Sequence, residues 1–127
     1  MSGLCLLAAG AVVARLAGVE AFTLAWTHSV EKTEWQEDWR IDGVRLSLVE
    51  ARVTGTGAGM EPPPEARLEH GSWRWRPSVP PIPSIVLRRS GATADWRLCP
   101  QAGACRPLGE YVPAAADPVE LAPCAPE

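Results

Sequence analysis

Residues 22–53, FTLAWTHSVEKTEWQEDWRIDGVRLSLVEARV, alternate apolar and polar side chains over most of their length. An alternation with a period of two is typical of a half-buried β-strand. Asp42-Gly43 separates two such runs, and this dipeptide is a strong signal for a tight hairpin turn. The stretch therefore predicts an antiparallel meander of three strands at about 22–30, 35–41 and 44–53.

Two turns set the expected register of this meander. Closing Asp42-Gly43 as a two-residue turn pairs Trp39 with Leu46, and a four-residue loop over 31–34 pairs Trp26 with Trp39. Apolar side chains then meet across both strand pairs, which a slip of one residue would destroy.

The same register brings ionisable groups together on the apolar face. His28 faces Glu37 across the first pair of strands, and Glu50 lies within diagonal reach. An imidazole and two carboxylates on a half-buried face that also carries Trp26 and Trp35 form a candidate ligand-binding site.

Glycine and proline indicate how the rest of the chain is organised. The 127 residues include 13 Pro and 11 Gly, which interrupt the apolar runs too often for long helices. We expect an all-β protein, a single small antiparallel β-sandwich or partly open barrel over residues 1–112, followed by a flexible Pro/Ala-rich tail over 113–127. Besides the meander, the predicted strands are 4–8, 12–16, 72–76, 84–89, 94–99 and 105–108.

The opening, residues 3–26, has two interpretations. As a hairpin it supplies the strands 4–8 and 12–16, joined by a tight turn at 9–11. As an export signal or anchor it lacks a basic start, and Arg15 interrupts its apolar run. The run is also too short to span a bilayer as a helix, and no transmembrane segment follows. The hairpin is favoured.

Charge and glycine spacing exclude two classes of partner. The net charge is −3 and the arginines are scattered, which argues against a nucleic-acid partner. The glycines of residues 55–59 match neither a P-loop nor a dinucleotide-binding fingerprint. Gly57 and Gly59 could instead form a backbone nest for a small anion with Glu61 at its rim, although an irregular loop covering the sheet is favoured.

The four cysteines suggest different chemistry in different compartments. Cys99 and Cys105 flank a five-residue loop, a spacing that fits neither a redox CxxC motif nor a zinc knuckle. In an oxidising compartment these two form the natural disulfide, and Cys5 and Cys124 have no partner beyond each other. In the cytosol all four would be thiols.

Three motifs together resemble a known family. WTHSVEKT at 26–33, EDW at 37–39 and GTGAGMEPP at 55–63 are similar to those of the domain of unknown function 1850 family. These are small bacterial proteins often encoded beside tripartite ATP-independent periplasmic (TRAP) transporters of the TAXI subtype. The similarity runs from about Leu4 to Leu108, and the Cys99/Cys105 hairpin resembles one branch of the family.

The resemblance implies an all-β domain with a role near solute uptake across the bacterial inner membrane, and it supplies no reaction and no cofactor. Longer family members carry an additional apolar segment ahead of the first strands. A cytoplasmic or inner-membrane-associated location is therefore expected if Met1 is the true start. A periplasmic location is the alternative.

We expect a non-enzymatic accessory or binding protein, with a TRAP permease or solute-binding protein as partner. The sequence predicts no catalytic residue, no metal ligand and no cofactor, and it does not indicate an oligomeric state. The hypothetical ligand site combines a polar group with aromatic walls and the glycine nest: His28, Glu37, Glu50, Glu61, Trp26, Trp35, Trp39, Gly57 and Gly59.

Three alternatives accompany this hypothesis. A metal site would use His28 with the carboxylates, but the chain has only two histidines. A small hydrolase would use a His28/Glu37 pair, yet Ser29, the tempting nucleophile, points to the opposite face from His28. Finally, His28 and Glu37 could be a satisfied buried pair in a β domain without a ligand site.

Overall fold

A computed structural model describes residues 3–28, 33–54, 62–89, 94–101 and 103–124 as two antiparallel β-sheets. The sheets pack as a small β-sandwich and do not close into a barrel within these residues, which confirms the all-β prediction. The strands are β1 Gly3–Ala8, β2 Ala11–Ala17, β3 Ala21–His28, β4 Thr33–Asp42, β5 Arg45–Thr54, β6 Arg67–Glu69, β7 Ser72–Trp75, β8 Ile85–Leu87, β9 Arg97–Pro100, β10 Arg106–Pro107 and β11 Val119–Pro123; a 3₁₀-helix spans Leu108–Glu110.

The smaller sheet has the order β2-β1-β11-β8. β1 and β2 form a hairpin through Ala9 and Gly10, both of which have positive φ, as a two-residue hairpin turn of this kind requires. Leu4 and Leu6 of β1 are fully buried. The hairpin interpretation of the opening is therefore confirmed for residues 3–17.

The last strand of this sheet corrects the prediction of a flexible tail. β11 lies between β1 and β8 and pairs with both, and its Val119 and Leu121 are fully buried. Although residues 113–127 are rich in Pro and Ala, they contain a short alternation, Val119-Glu-Leu121, whose apolar residues face the core. The prediction of a tail is wrong over this strand.

The larger sheet has the order β10-β9-β3-β4-β5-β7-β6 and contains the predicted meander as β3, β4 and β5. The strands predicted at 72–76, 84–89, 94–99 and 105–108 are present as β7 to β10, although shorter or shifted by up to three residues. β6 was not predicted. It joins β7 through His70 and Gly71, which both have positive φ.

The register of the meander differs from the expected one. Between β4 and β5 the turn is Gly43-Val44, because Gly43 takes the positive φ at the first central position, as a type II′ turn requires. Trp39 consequently faces Leu48 instead of Leu46. Between β3 and β4, Trp26 faces Trp35 instead of Trp39.

A bulge at Val49 then changes which side chains of β5 face the core. Leu48 faces Trp39, but the next pair along is Glu50 with Asp38, so Val49 has no partner of its own. One extra residue reverses the facing of everything beyond it. Ala51 and Val53 therefore point into the protein, and Glu50 points out.

The core lies between the two sheets. It joins the leucines of β1, β8 and β11 to apolar side chains of β3, β4, β5 and β9, and the helical turn closes one end through Leu108. Within the described residues, no helix combines the length and the apolar composition needed to cross a membrane.

A partly buried ion pair ties the segment after β10 to the sheets. Arg89 donates to both carboxylate oxygens of Asp95, at 3.1 and 2.8 Å, and also to the carbonyl oxygens of Pro113 and Ala116. Asp95 accepts two further bonds, from the backbone N–H groups of Trp96 and Gly109. Burial disfavours the charge on Asp95, but these bonds outweigh it and lower its pKa.

All four cysteines are paired. Cys99 is bonded to Cys105 across the loop between β9 and β10, and Cys5 of β1 is bonded to Cys124 directly after β11. The second bond closes a sequence separation of 119 residues. It links the two neighbouring strands that lie farthest apart in the chain.

Candidate functional site

Four tryptophan rings form a continuous row across the larger sheet, in the order Trp96, Trp26, Trp35, Trp75. The ring centres of Trp96 and Trp26 are 4.9 Å apart, and those of Trp26 and Trp35 are 6.2 Å apart with nearly parallel planes. Trp75 meets Trp35 edge-on at 6.3 Å. All four side chains are half-buried. We call this set the aromatic row.

Strand alternation and register place the aromatic row. Trp26 and Trp35 are cross-strand partners, and Trp35 in turn faces Val53 of β5. Trp75 faces Ala51, whose small side chain leaves room for the Trp75 ring to reach Trp35. Aromatic pairs at these distances stabilise one another beyond the area that they bury.

The row lies on the core-facing side of the larger sheet, but it is not sealed. At the other end of the same face, Phe22 and Trp39 are only 3% and 7% exposed beneath the smaller sheet. The four rings of the row remain half-exposed instead. A contiguous half-exposed aromatic surface is typical of a site that binds a ligand or a partner.

Glu37 is an ionisable group on this face. It is half-buried, faces Leu24 on one side and Ala51 on the other, and lies in β4 between Trp35 and Trp39. Burial raises the pKa of Glu37, and a hydrogen bond of 3.2 Å from the Trp39 indole Nε1 opposes this only partly. A carboxyl group with a raised pKa among aromatic rings is a marker of functional sites.

The structure brings only part of the predicted site together. Trp26, Trp35 and Glu37 share the face, and Trp39 contributes as a core residue that donates to Glu37. Glu50 lies on the opposite face, where Arg52 and Arg74 bind it, because the Val49 bulge reverses β5.

The predicted His28/Glu37 partnership is wrong in register. The backbone of His28 pairs with Thr33, whereas Glu37 pairs with Leu24 four pairs further along β3. The side chain of His28 is outside what the structure describes, as are the predicted residues Gly57, Gly59 and Glu61. Among the described residues, no group of three metal-ligating side chains is close enough to hold a metal ion.

Trp75 and Trp96 belong to the site but were not among the predicted residues. Trp73 and Trp75 lie in the strand predicted at 72–76, and alternation along that strand places both indoles on one face. Trp96 precedes β9, and its ring is held by a 2.9 Å bond from Nε1 to the carbonyl of Arg88. The excess of tryptophan, six residues against one Tyr and one Phe, was the available signal.

Comparison with known proteins gives a family but no activity. Neither the curated proteins nor the solved structures contain a match to this chain. The family model described as "Domain of unknown function (DUF1850)" matches residues 22–108, which extend from the second residue of β3 to Leu108, the first residue of the 3₁₀-helix. The match covers well over half of the chain and, except for Ala21, every strand of the larger sheet, and the chain therefore belongs to this family of unknown function.

Proposed function

We propose that this protein is a non-enzymatic binding protein that serves a TRAP-type solute transporter, and that the aromatic row together with Glu37 is its binding site. The observation that carries the proposal is the coincidence of four half-exposed indoles and one half-buried carboxyl group on a single sheet face. Pockets for small molecules commonly combine apolar walls with few polar groups in this way.

The chemistry of the face defines the ligand class. The indoles offer flat apolar surface and an attraction for cations at their faces. Glu37 donates a hydrogen bond when protonated and accepts one, or pairs with a cation, when ionised. The proposed ligand is a solute or partner segment with an apolar or planar part beside a polar group.

The link to a TRAP transporter rests on the motif resemblance at 26–33, 37–39 and 55–63. The two disulfides add support for a location, because such bonds persist in oxidising compartments such as the periplasm. We therefore favour the periplasmic location over the cytoplasmic one. The candidate partners are the permease and its solute-binding protein.

The alternatives draw no support from the observed register. A hydrolase or metal site built on a His28/Glu37 pair needs these residues as neighbours, and they are not cross-strand partners. Glu50, a further ligand in that scheme, belongs to the opposite face.

A transport assay with matched variants tests the proposal. The gene is deleted in its native bacterium, and uptake is measured for the solute of the TRAP system encoded nearest to it. The deletion is complemented with wild type, Glu37→Gln, Trp35→Phe and, as control, Glu69→Gln on the exposed strand β6. We expect wild type and the control to restore uptake, and the two site variants to restore less than a tenth of it.

Two other outcomes would each refute one part of the proposal, either the transport role or the site. Normal uptake in the deletion strain would refute the transport role. Full restoration by Glu37→Gln and Trp35→Phe would keep the transport role and refute the site. Circular dichroism of the purified variants separates a lost site from a lost fold.

A further inference from the structure

Three arginines occupy directly opposite positions on three neighbouring strands of the larger sheet. Arg52 of β5 faces Arg74 of β7, and Arg74 faces Arg67 of β6. Like charges directly opposite each other destabilise a sheet unless counter-charges are present. This arginine rung, Arg52, Arg74 and Arg67, therefore needs anionic partners.

The first member of the rung is fully neutralised by the protein. Arg52 donates to both carboxylate oxygens of Asp38, to Gln36 at 2.9 Å and to Glu50 at 3.2 Å. Its side chain is only 14% exposed. Burial disfavours the charge of Asp38, but the bonds from Arg52 and Thr23 outweigh it and lower the pKa of Asp38.

Arginines nearer the sheet edge have fewer anionic partners among the described residues than Arg52 has. Among the described residues, Arg74 contacts one carboxylate, through a 3.2 Å bond to the same Glu50 oxygen that Arg52 uses. The Nε–H of Arg74 is buried without a hydrogen-bond partner in the described part of the chain. Arg67 and Arg76 are exposed, and neither forms an ion pair with another described residue.

These arginines share a cleft of about 270 Å³. Its lining residues are three arginines, two glutamates and one tryptophan: Arg67, Arg74, Arg76, Glu50, Glu65 and Trp75. Glu50 is already shared between two arginines, which leaves the cleft with an excess of positive charge.

We propose that this cleft binds a small molecule carrying an oxyanion, a carboxylate or phosphate group, on a planar or apolar body. Guanidinium forks bind such oxyanions in a bidentate manner, and Trp75 is the aromatic residue among those that line the cleft. The volume is below the usual range for drug-sized ligands, about 300–1,000 Å³, which limits the ligand to roughly one ring and one anionic group. The proposal does not require the aromatic row to bind anything.

Calorimetric titration of the full chain tests this at pH 7 and constant ionic strength. The probes are phenyl phosphate and benzoate, with inorganic phosphate for comparison. We expect saturable binding of at least one aryl probe, more tightly than inorganic phosphate. The double variant Arg67→Gln/Arg76→Gln should weaken it at least tenfold, and both changes are at exposed positions. Tighter binding of phenyl phosphate identifies a phosphate site, and tighter binding of benzoate a carboxylate site.

The matched control is Arg40→Gln, an exposed arginine of the same sheet that is outside the cleft. It should bind the probes as wild type does. Absence of saturable binding of both aryl probes would overturn the proposal, and so would equal affinity in wild type and the double variant. An equal loss in Arg40→Gln would also overturn it, since the effect would then be general charge attraction.

Discussion

At the scale of single residues, Glu37 of the proposed site makes the stability of the protein depend on pH. Its pKa is raised in the folded protein, so the native state holds a proton more tightly than the unfolded chain does. Stability then falls as the pH rises from the unfolded pKa to the native one, and the loss persists above both. Glu37 therefore costs stability at neutral pH, as residues serving a ligand often do.

Replacing Glu37 with Gln should raise the free energy of unfolding at pH 7, because the amide carries no charge to desolvate and still accepts the Trp39 bond. Below the ordinary glutamate pKa of 4.5, wild type is protonated in both states and the difference should vanish. Urea denaturation at pH 4 and pH 7 checks this. A Glu37→Gln protein less stable than wild type at pH 7 would contradict it.

Asp95 shows the opposite linkage. Its lowered pKa contributes stability that is present above the unfolded value of 3.8 and lost as the pH falls through the native one. Asp95→Asn should cost about 2–3 kcal/mol at pH 7, because Arg89, 9% exposed, loses its ionic partner. Thermal unfolding between pH 2.5 and 7 should show this cost shrinking in acid. The control Asp42→Asn, in a pair about 60% exposed, should change stability by less than about 0.5 kcal/mol.

At the scale of elements, the sequence predicted where strands occur better than how they pair. Period-two alternation located β3, β4 and β5 correctly because it depends on neighbouring residues alone. The predicted register was wrong because the two residues of the turn are Gly43 and Val44 and not Asp42 and Gly43. The change of phase in β5 was visible, since the apolar positions shift from Leu46 and Leu48 to Val49, Ala51 and Val53. Such a shift signals a bulge.

β11 offers a direct test of the corrected chain end. Leu121→Ala should destabilise the protein by about 2–5 kcal/mol, because the side chain is fully buried between the sheets. Val86→Ala on the neighbouring strand β8, where the side chain is 58% exposed, should cost less than about 1 kcal/mol. Chemical denaturation measures both. Equal, small losses would mean that β11 adds little to the core.

At the scale of the whole molecule, the two disulfides should contribute unequally. The bond between Cys5 and Cys124 closes 119 residues and should stabilise by about 4–5 kcal/mol, whereas the bond between Cys99 and Cys105 closes six and should contribute about 2 kcal/mol. Denaturation of the double variants Cys5→Ala/Cys124→Ala and Cys99→Ala/Cys105→Ala compares them. A larger loss in the second variant would contradict this ranking.

Most features of the fold and the site that the sequence did not predict are contacts between residues far apart in the chain. The fold class followed from composition and turns, and three members of the site face, Trp26, Trp35 and Glu37, followed from alternation. The pairing of β1 with β11 and the contact of Trp96 with Trp26 join segments that are far apart in the chain, so no local pattern encodes them.

The central place of β1 also determines when this protein can finish folding during its synthesis. β1 is synthesised before β11, yet the second hydrogen-bonding edge of β1 is filled only by β11, so Leu4 cannot pair with Pro123 until Pro123 has been made. At synthesis rates of roughly 5–20 residues per second, that interval is on the order of 10 s. Throughout it the nascent chain presents an open apolar strand edge, which invites pairing with other chains. The chain should therefore need protection by a chaperone until β11 is free to pair with β1.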